Sequence, residues 1–452
     1  MAAFHRPFDL VVFGAGGFTG QLVSEYINTH YDKSEIRWAI AGRNRAKLEN
    51  VVSSLPKREP ICQPEIIVAD VSDMESLRSM CKSTNVIVST VGPYAKYGTP
   101  LVDACIESNT DLADLTGEVH WISNLLDQGY HEKAQKTGTR IVNSSGFECV
   151  PFEMGVLAVA RMVSGKGDAS VPSNERGNDQ LKSITCYMQT FKGGVSGGSI
   201  ASVLNILESA NPSELMKVYR NPIAINREKK EDLEFKEASD QTVPYFDRTV
   251  KTWTSSSIGA LVTTRVIRRA QSLLGYPFGR FHYSETWMVS PGPLGFMKSW
   301  MTTIAGGLFF AMLTIAPIRR LATRYLLPKP GEGPSRQVQQ SGYFRAVMVG
   351  ETIQGKLAYC PIYGRGDPGY SFTAKVLAET GIQLAKTRVL GKNVENSEIG
   401  GLLTPGCAPG LGFDLLERLK RTGIMTCDPQ FVSNRSDIPA LIHDAESIPN
   451  GK

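Results

Sequence analysis

Residues 8–13 read Phe8-Asp9-Leu10-Val11-Val12-Phe13, and Gly14-Ala15-Gly16-Gly17-Phe18-Thr19-Gly20 follows directly. The first six residues have the continuous apolar run of a buried strand. The next seven form a glycine loop placed to open a helix over Gln21–Asn28. Gly14 permits the tight turn, while Gly16 and Gly17 let backbone approach a phosphate with no Cβ in the way. The N–H groups that open the following helix face that negative charge. The spacing departs from G-x-G-x-x-G and also reads as G-x-x-G-x-x-G through Gly14, Gly17 and Gly20. Gly14, Gly16, Gly17, Phe18, Thr19 and Gly20 are therefore the candidate diphosphate site of a dinucleotide.

Working outward, strand-like and helix-like stretches alternate through residue 150. Strands are expected over 36–41, 65–69, 86–91, 111–115 and 140–143, and helices over 45–55, 74–82, 100–108 and 130–137. That rhythm predicts a doubly wound parallel sheet with helices on both faces. The second strand ends in Ala41-Gly42-Arg43-Asn44, without the acid that would hold the ribose 2′-hydroxyl of NAD. A guanidinium pairs with a 2′-phosphate, so NADP is the expected cofactor, with Arg43 and Asn44 as contacts. Arg43 as a plain surface cation is the competing reading. Asp70, at the end of the third strand, either accepts from the adenine amine or caps the next helix. Val91 and Gly92 end the fourth strand, where the nicotinamide ribose would pass.

The whole chain has 452 residues and a net charge of +5, too small and dispersed to imply nucleic acid. Hydrophobic residues at 42% and charged residues at 21% exclude disordered, collagen-like and coiled-coil classes. The eight cysteines show no C-x-x-C spacing, and the six histidines no i, i+4 pair, so no metal site is expected. Scattered cysteines and the absence of a leader-like N-terminus give a cytoplasmic expectation. Gly194-Val195-Ser196-Gly197-Gly198 matches the hydrolase elbow G-x-S-x-G, but no partner histidine is marked. Residues 164–180 read as an exposed insertion and 227–237 as a solvated charge run.

Further motifs recur in order: Gly92-Pro93-Tyr94, Asp114-Leu115-Thr116-Gly117-Glu118, Gly146-Phe147-Glu148-Cys149-Val150-Pro151 and Ser196-Gly197-Gly198-Ser199. Gly366-Asp367-Pro368-Gly369-Tyr370, Leu377-Ala378-Glu379 and Gly400-Gly401-Leu402-Leu403-Thr404-Pro405 follow. With the glycine loop, this set resembles the saccharopine dehydrogenase-like oxidoreductases, which include the trans-acting enoyl reductases. Glu148-Cys149 stands where that family often has Asp-Ser, and roughly 203–343 matches weakly. The resemblance implies an NADP-binding domain over 1–150 and a second α/β domain with a mixed sheet over 151–365, for substrate and dimerisation. A helical segment over 366–452 is expected to fold back near the first domain. It implies hydride transfer from NADPH to an activated double bond or carbonyl of an apolar, lipid-like substrate. No cationic cluster in the substrate half suits the carboxylates of saccharopine itself. The rival from another class is a nucleotide-binding lipid-surface module without turnover.

Tyr94 is the candidate proton donor; the competing reading is an aromatic packed in the cleft wall. Cys149 reads by default as a small buried thiol, and Ser196 and Ser199 as contacts or a plain turn. Ser299–Ile318 is a run of twenty uncharged residues, followed by Arg319, Arg320 and Arg324. It reads as a buried or dimer-interface helix, as a helix dipping into a membrane or lipid-droplet surface, or as a span. Lipid association of eukaryotic relatives suits the second reading. A homodimer is the expected oligomer.

Overall fold

A computed structural model describes residues 6–57, 63–165, 179–194, 204, 212–227, 239–274, 281–325, 332–390 and 400–446. Strand β1 (Phe8–Phe13) pairs in parallel with β2 (Trp38–Gly42), which pairs with β3 (Glu65–Val68). On its other side β1 meets β4 (Thr84–Ser89), followed outward by β5 (Asp111–Asp114) and β6 (Arg140–Val142). The β-branched and aliphatic residues of β1 and β4 are almost wholly buried, as central strands covered on both faces require. Helices Phe18–His30 and Tyr94–Glu107 are among the crossovers.

The second sheet is mixed. Its strands are β7 (Leu181–Lys192), β8 (Tyr245–Asp247), β9 (Thr252–Ser256), β10 (His282–Met288), β11 (Tyr343–Thr352) and β12 (Leu357–Arg365). β7 runs parallel to β10 and antiparallel to β11. The chain then returns: β13 (Gly401–Leu403) becomes the outer strand of the first sheet, beside β6. β14 (Met425–Cys427) and β15 (Gln430–Val432) both pair with β12. The architecture is α/β, a parallel seven-stranded sheet plus a mixed one, with the C-terminal part folded back on the first.

That return is fixed by buried charge. Glu379, on the helix Thr373–Leu390, accepts from the hydroxyls of Tyr26 (2.5 Å) and Tyr31 (2.6 Å) on the other oxygen from its ion pair with Arg418. Arg418 also donates to Tyr31 Oη at 2.7 Å. Nearby, Arg140 pairs with the buried Asp111 at 2.6 Å and donates to the Leu384 carbonyl at 2.8 Å. The two arginines Arg140 and Arg388 hold the Asp111 carboxyl below its ordinary range despite burial.

Among the described residues, most of the apolar run faces outward. Helix Gly292–Thr314 ends at Ile315, and a second helix, Ala316–Tyr325, follows. Met301, Ile304 and Leu308 are each more than half exposed. Among the described residues, no helix is long and apolar enough to cross a membrane.

Replacing Glu379 by Ala strands the Arg418 guanidinium in the interior and should cost about 3–5 kcal/mol of unfolding free energy. Arg45→Ala removes the exposed pair with Glu49 and should cost less than about 1 kcal/mol. Urea unfolding of both variants checks the contrast, and equal losses would contradict it.

Candidate functional site

The glycine loop is built by its neighbours. Gly14 takes φ +89°, and a Cβ there would lie 2.7 Å from Thr90 Oγ1 and 2.8 Å from Val91 Cγ2. A Cβ on Gly20 would strike the Gly14 carbonyl, so helix Phe18–His30 can start this close only with glycine. Gly17 N–H donates to the Gly14 carbonyl at 2.9 Å and closes the turn. Gly17 occupies the cap position without a side-chain acceptor, so the first-turn N–H groups lack a cap from the protein. Side chains on Gly16 and Gly17 would meet nothing closer than 3.3 Å. An uncapped helix start above a cradle of small residues fits a dinucleotide diphosphate. Phe18 packs edge-to-face on Tyr370 at 5.4 Å.

The other expected contacts lie along the same strand ends. Arg43 is exposed just beyond β2. The Asn44 side chain accepts from Lys47 N–H at 3.0 Å and caps the next helix. Asp70 accepts from the Ser72 N–H (3.0 Å) and hydroxyl (2.8 Å). Those bonds first, and then the charge of Arg43, hold its carboxyl below the ordinary value. The cap of helix Met74–Ser83 is Asp73 rather than Asp70. Val91 and Gly92 follow β4 and lead into helix Tyr94–Glu107.

Tyr94 is 7% exposed and stacks on Trp121 with ring centroids 5.7 Å apart. Its hydroxyl donates to the Ser89 carbonyl at 3.1 Å and accepts from Leu115 N–H at 3.2 Å. Burial pushes that hydroxyl well above the usual phenol range. The geometry gives Tyr94 a strand-end bracing position.

Beside the loop lies a cavity of about 720 Å³. Thr19 lines it from the glycine-loop helix, Leu115 and Thr116 from the end of β5, and Ser144 and Gly146 from the turn after β6. Its far walls come from the second sheet, with Met188, Phe191 and Trp287 giving an apolar surface. Phe147 joins Phe191, Phe344 and Phe372 in edge-to-face contacts at 4.7–6.1 Å.

Two carboxyls face this space. Glu285, on β10, is 3% exposed, and its Oε1 accepts from Ser257 Oγ at 2.5 Å. Its Oε2 is buried and meets no donor among the described residues. Burial raises the group to about 7, against the hydrogen bond from Ser257 and with the charges of Asp240 and Glu148. Glu148 lines the cavity with its side chain exposed, and partial desolvation raises its carboxyl too. No Lys or Arg lines the cavity among the described residues. Asp114 ties the floor together, accepting from Thr116 N–H (2.9 Å), Ser144 N–H (3.2 Å) and Asn143 Nδ2 (2.7 Å). Cys149 is fully buried, its thiol pushed up by burial and nearby carboxylates. Ser196 and Ser199 lie outside the described residues. Among the described residues no His, Cys, Asp or Glu cluster could hold a metal.

Glu285 and Ser257 are absent from the sequence reading. Neither stands in a recognisable motif, and only the pairing of β10 with β9 and the approach of the parallel sheet bring them to the cavity.

Comparison with known proteins gives the family. The model of the saccharopine dehydrogenase NADP-binding domain matches residues 10–142. A Mycobacterium tuberculosis protein, whose name assigns it provisionally as a trans-acting enoyl reductase, is 34% identical, with 94% of this chain and 98% of its own covered. The trans-acting enoyl reductase of Mycobacterium leprae is 31% identical with the same coverage. Saccharopine dehydrogenase (L-Glu forming) of Saccharomyces cerevisiae aligns over 94% of this chain and 99% of its own, at 15% identity and a TM-score of 0.48. With an NADP-binding domain at its N-terminus and relatives along nearly its whole length, the chain belongs to the saccharopine dehydrogenase-like, trans-acting enoyl reductase family of NADP-dependent oxidoreductases.

Proposed function

We propose that the chain reduces an activated double bond or carbonyl of an apolar, lipid-like substrate held in the cavity, with Glu285 as the proton donor. The observation that carries this reading is Glu285, a buried carboxyl that lines a cavity Thr19 joins to the glycine loop and whose Oε2 meets no donor among the described residues. NADPH, when bound, supplies hydride from the nicotinamide. The chain's own residues supply the rest.

Ser257 holds Glu285 Oε1, which leaves the proton to Oε2, an atom without a competing donor among the described residues. For an enone or enoyl thioester, hydride enters the β-carbon and the Glu285 proton the α-carbon. For a carbonyl, the proton goes to oxygen. The resulting carboxylate regains a proton from solvent, so one NADPH and one H⁺ are consumed per bond reduced. The aromatic wall excludes water from the developing enolate or alkoxide and strengthens the hydrogen bond to Glu285. Gly14–Gly20 and Arg43 hold the cofactor, the latter through the 2′-phosphate. Among the described residues no cation lines the cavity, so nothing there pairs with a substrate carrying several carboxylates, which disfavours saccharopine chemistry.

Glu285→Gln keeps the shape and removes the proton. Turnover of an enal such as trans-2-hexenal should fall about 10²–10⁴-fold, with NADPH binding by fluorescence titration unchanged. Unchanged turnover would remove Glu285 from the reaction.

The acid form of Glu285 prevails below its value of about 7. kcat/KM should therefore be level at acid pH and fall about tenfold per pH unit above it. The falling limb should vanish from the residual activity of Glu285→Gln.

Arg43→Ala should weaken NADPH binding about tenfold or more while leaving NADH binding unchanged. Equal loss for both cofactors would contradict a 2′-phosphate contact.

A further inference from the structure

We propose that a basic, aromatic pocket on the outer face of the second sheet binds the phosphorylated nucleoside of a coenzyme A-type thioester, whose acyl end enters the Glu285 cavity. The inference rests on the proposed function and narrows its substrate to an enoyl group carried on a nucleotide handle.

The outer face of the sheet has two halves. Helix Ile438–Glu446 covers one of them, where Ile438 and Ile442 pack with Val347, Val349 and Tyr359. Beyond that helix the same alternation along β11 and β12 brings out Tyr343, Arg345, Tyr363 and Arg365, and β7 adds Lys192 opposite Tyr343. A pocket of about 320 Å³ opens there, within the size range of small-ligand sites.

Its chemistry suits an anion that carries an aromatic ring. Lys192, Arg365, Tyr343, Tyr363 and Gln340 line it, and no carboxylate does among the described residues. The two tyrosine rings lie 6.1 Å apart, with the Arg345 guanidinium over them at 5.5 and 5.8 Å. Lys192 Nζ stands 5.9 Å from the Tyr343 ring. Lysine and arginine pair with phosphate oxygens, while tyrosine and guanidinium faces stack on a base.

The pocket and the cavity share a rim. The β7 register shifts between Met188 and Thr190, so that Phe191 lines the cavity and Lys192 the pocket. Gly194, two residues on, lines the cavity again. The Gly366–Tyr370 turn also borders both: Gly366 lines the pocket, and Gly369 and Tyr370 line the cavity. Reach then selects the ligand. Glu285 pairs in register with Cys186, six residues before Lys192, so acid and pocket lie roughly 20 Å apart along the strand. A nucleotide alone cannot touch both. A coenzyme A thioester carries its acyl group at the end of a long pantetheine arm, away from its phosphates.

Two readouts test this. With NADPH saturating, so that the cofactor's own phosphate site is filled, adenosine 3′,5′-bisphosphate should bind in calorimetry. The double variant Lys192→Ala, Arg365→Ala should weaken that binding about tenfold or more, with NADPH-induced thermal stabilisation as the check on folding. In turnover, trans-2-hexenoyl-CoA and the N-acetylcysteamine thioester of the same acid present one reacting group with and without the handle. The wild type should prefer the coenzyme A thioester, and the double variant should lose about tenfold or more of that preference, in KM rather than kcat. The proposal is overturned if the bisphosphate fails to bind the NADPH-saturated protein, if the variant binds it equally well, or if both thioesters lose the same factor. Bisphosphate binding that the variant loses, with neither thioester reduced by the wild type, would refute the catalytic reading alone.

Discussion

The structure depends on holding the carboxyl ends of one parallel sheet against a second sheet, because the cavity exists only between them. Apolar burial alone would leave their relative setting loose. Buried polar joints fix it. Glu153, on helix Val150–Ser164, accepts from Thr404 Oγ1 (2.6 Å) and Gly406 N–H (3.1 Å) just beyond β13. Asp367 accepts from Gly194 N–H at 2.8 Å, and Thr373 Oγ1 accepts from Phe147 N–H at 3.0 Å. Each joint satisfies polar atoms that would otherwise be buried at a cost. Each therefore tolerates few alternative placements of the segments it connects.

This arrangement separates two electrostatic environments. At the glycine loop, backbone N–H groups and the exposed Arg43 favour negative charge. Across the cavity, desolvation raises the carboxyls of Glu285 and Glu148. A reductase needs both: a cationic grip for its cofactor and a proton that is not already paired. The closed hydrogen bonding of Tyr94 serves the first environment by holding the ends of β4 and β5 together.

Much of the parallel sheet was legible in the sequence. Alternation and the glycine loop placed the first six strands within a few residues. The start of helix Tyr94–Glu107 was not, since the sequence reading begins that helix at Pro100. The reason is a remote cap: Glu118 accepts from the N–H groups of Tyr94 (2.8 Å) and Ala95 (2.9 Å). No local pattern announces a carboxylate that caps from 24 residues away. Helix Val150–Ser164 was hidden because most of its residues are buried, which erases amphipathic periodicity. In the site, backbone motifs were readable and side-chain chemistry was not. Glu285 acts only through strand pairing and the packing of two sheets, neither of which leaves a local signature. The apolar run 299–318 was visible at once, yet its exposure follows from tertiary packing.

The central claim is that the glycine-loop crevice and the Glu285 cavity are parts of one reaction chamber. A crystal structure of the NADPH complex tests it most directly. The account predicts the diphosphate on the amides of Gly14–Gly20, with the nicotinamide ring opening into the cavity that Glu285 lines. A cofactor seated elsewhere, or a nicotinamide walled off from Glu285 by protein, would contradict it.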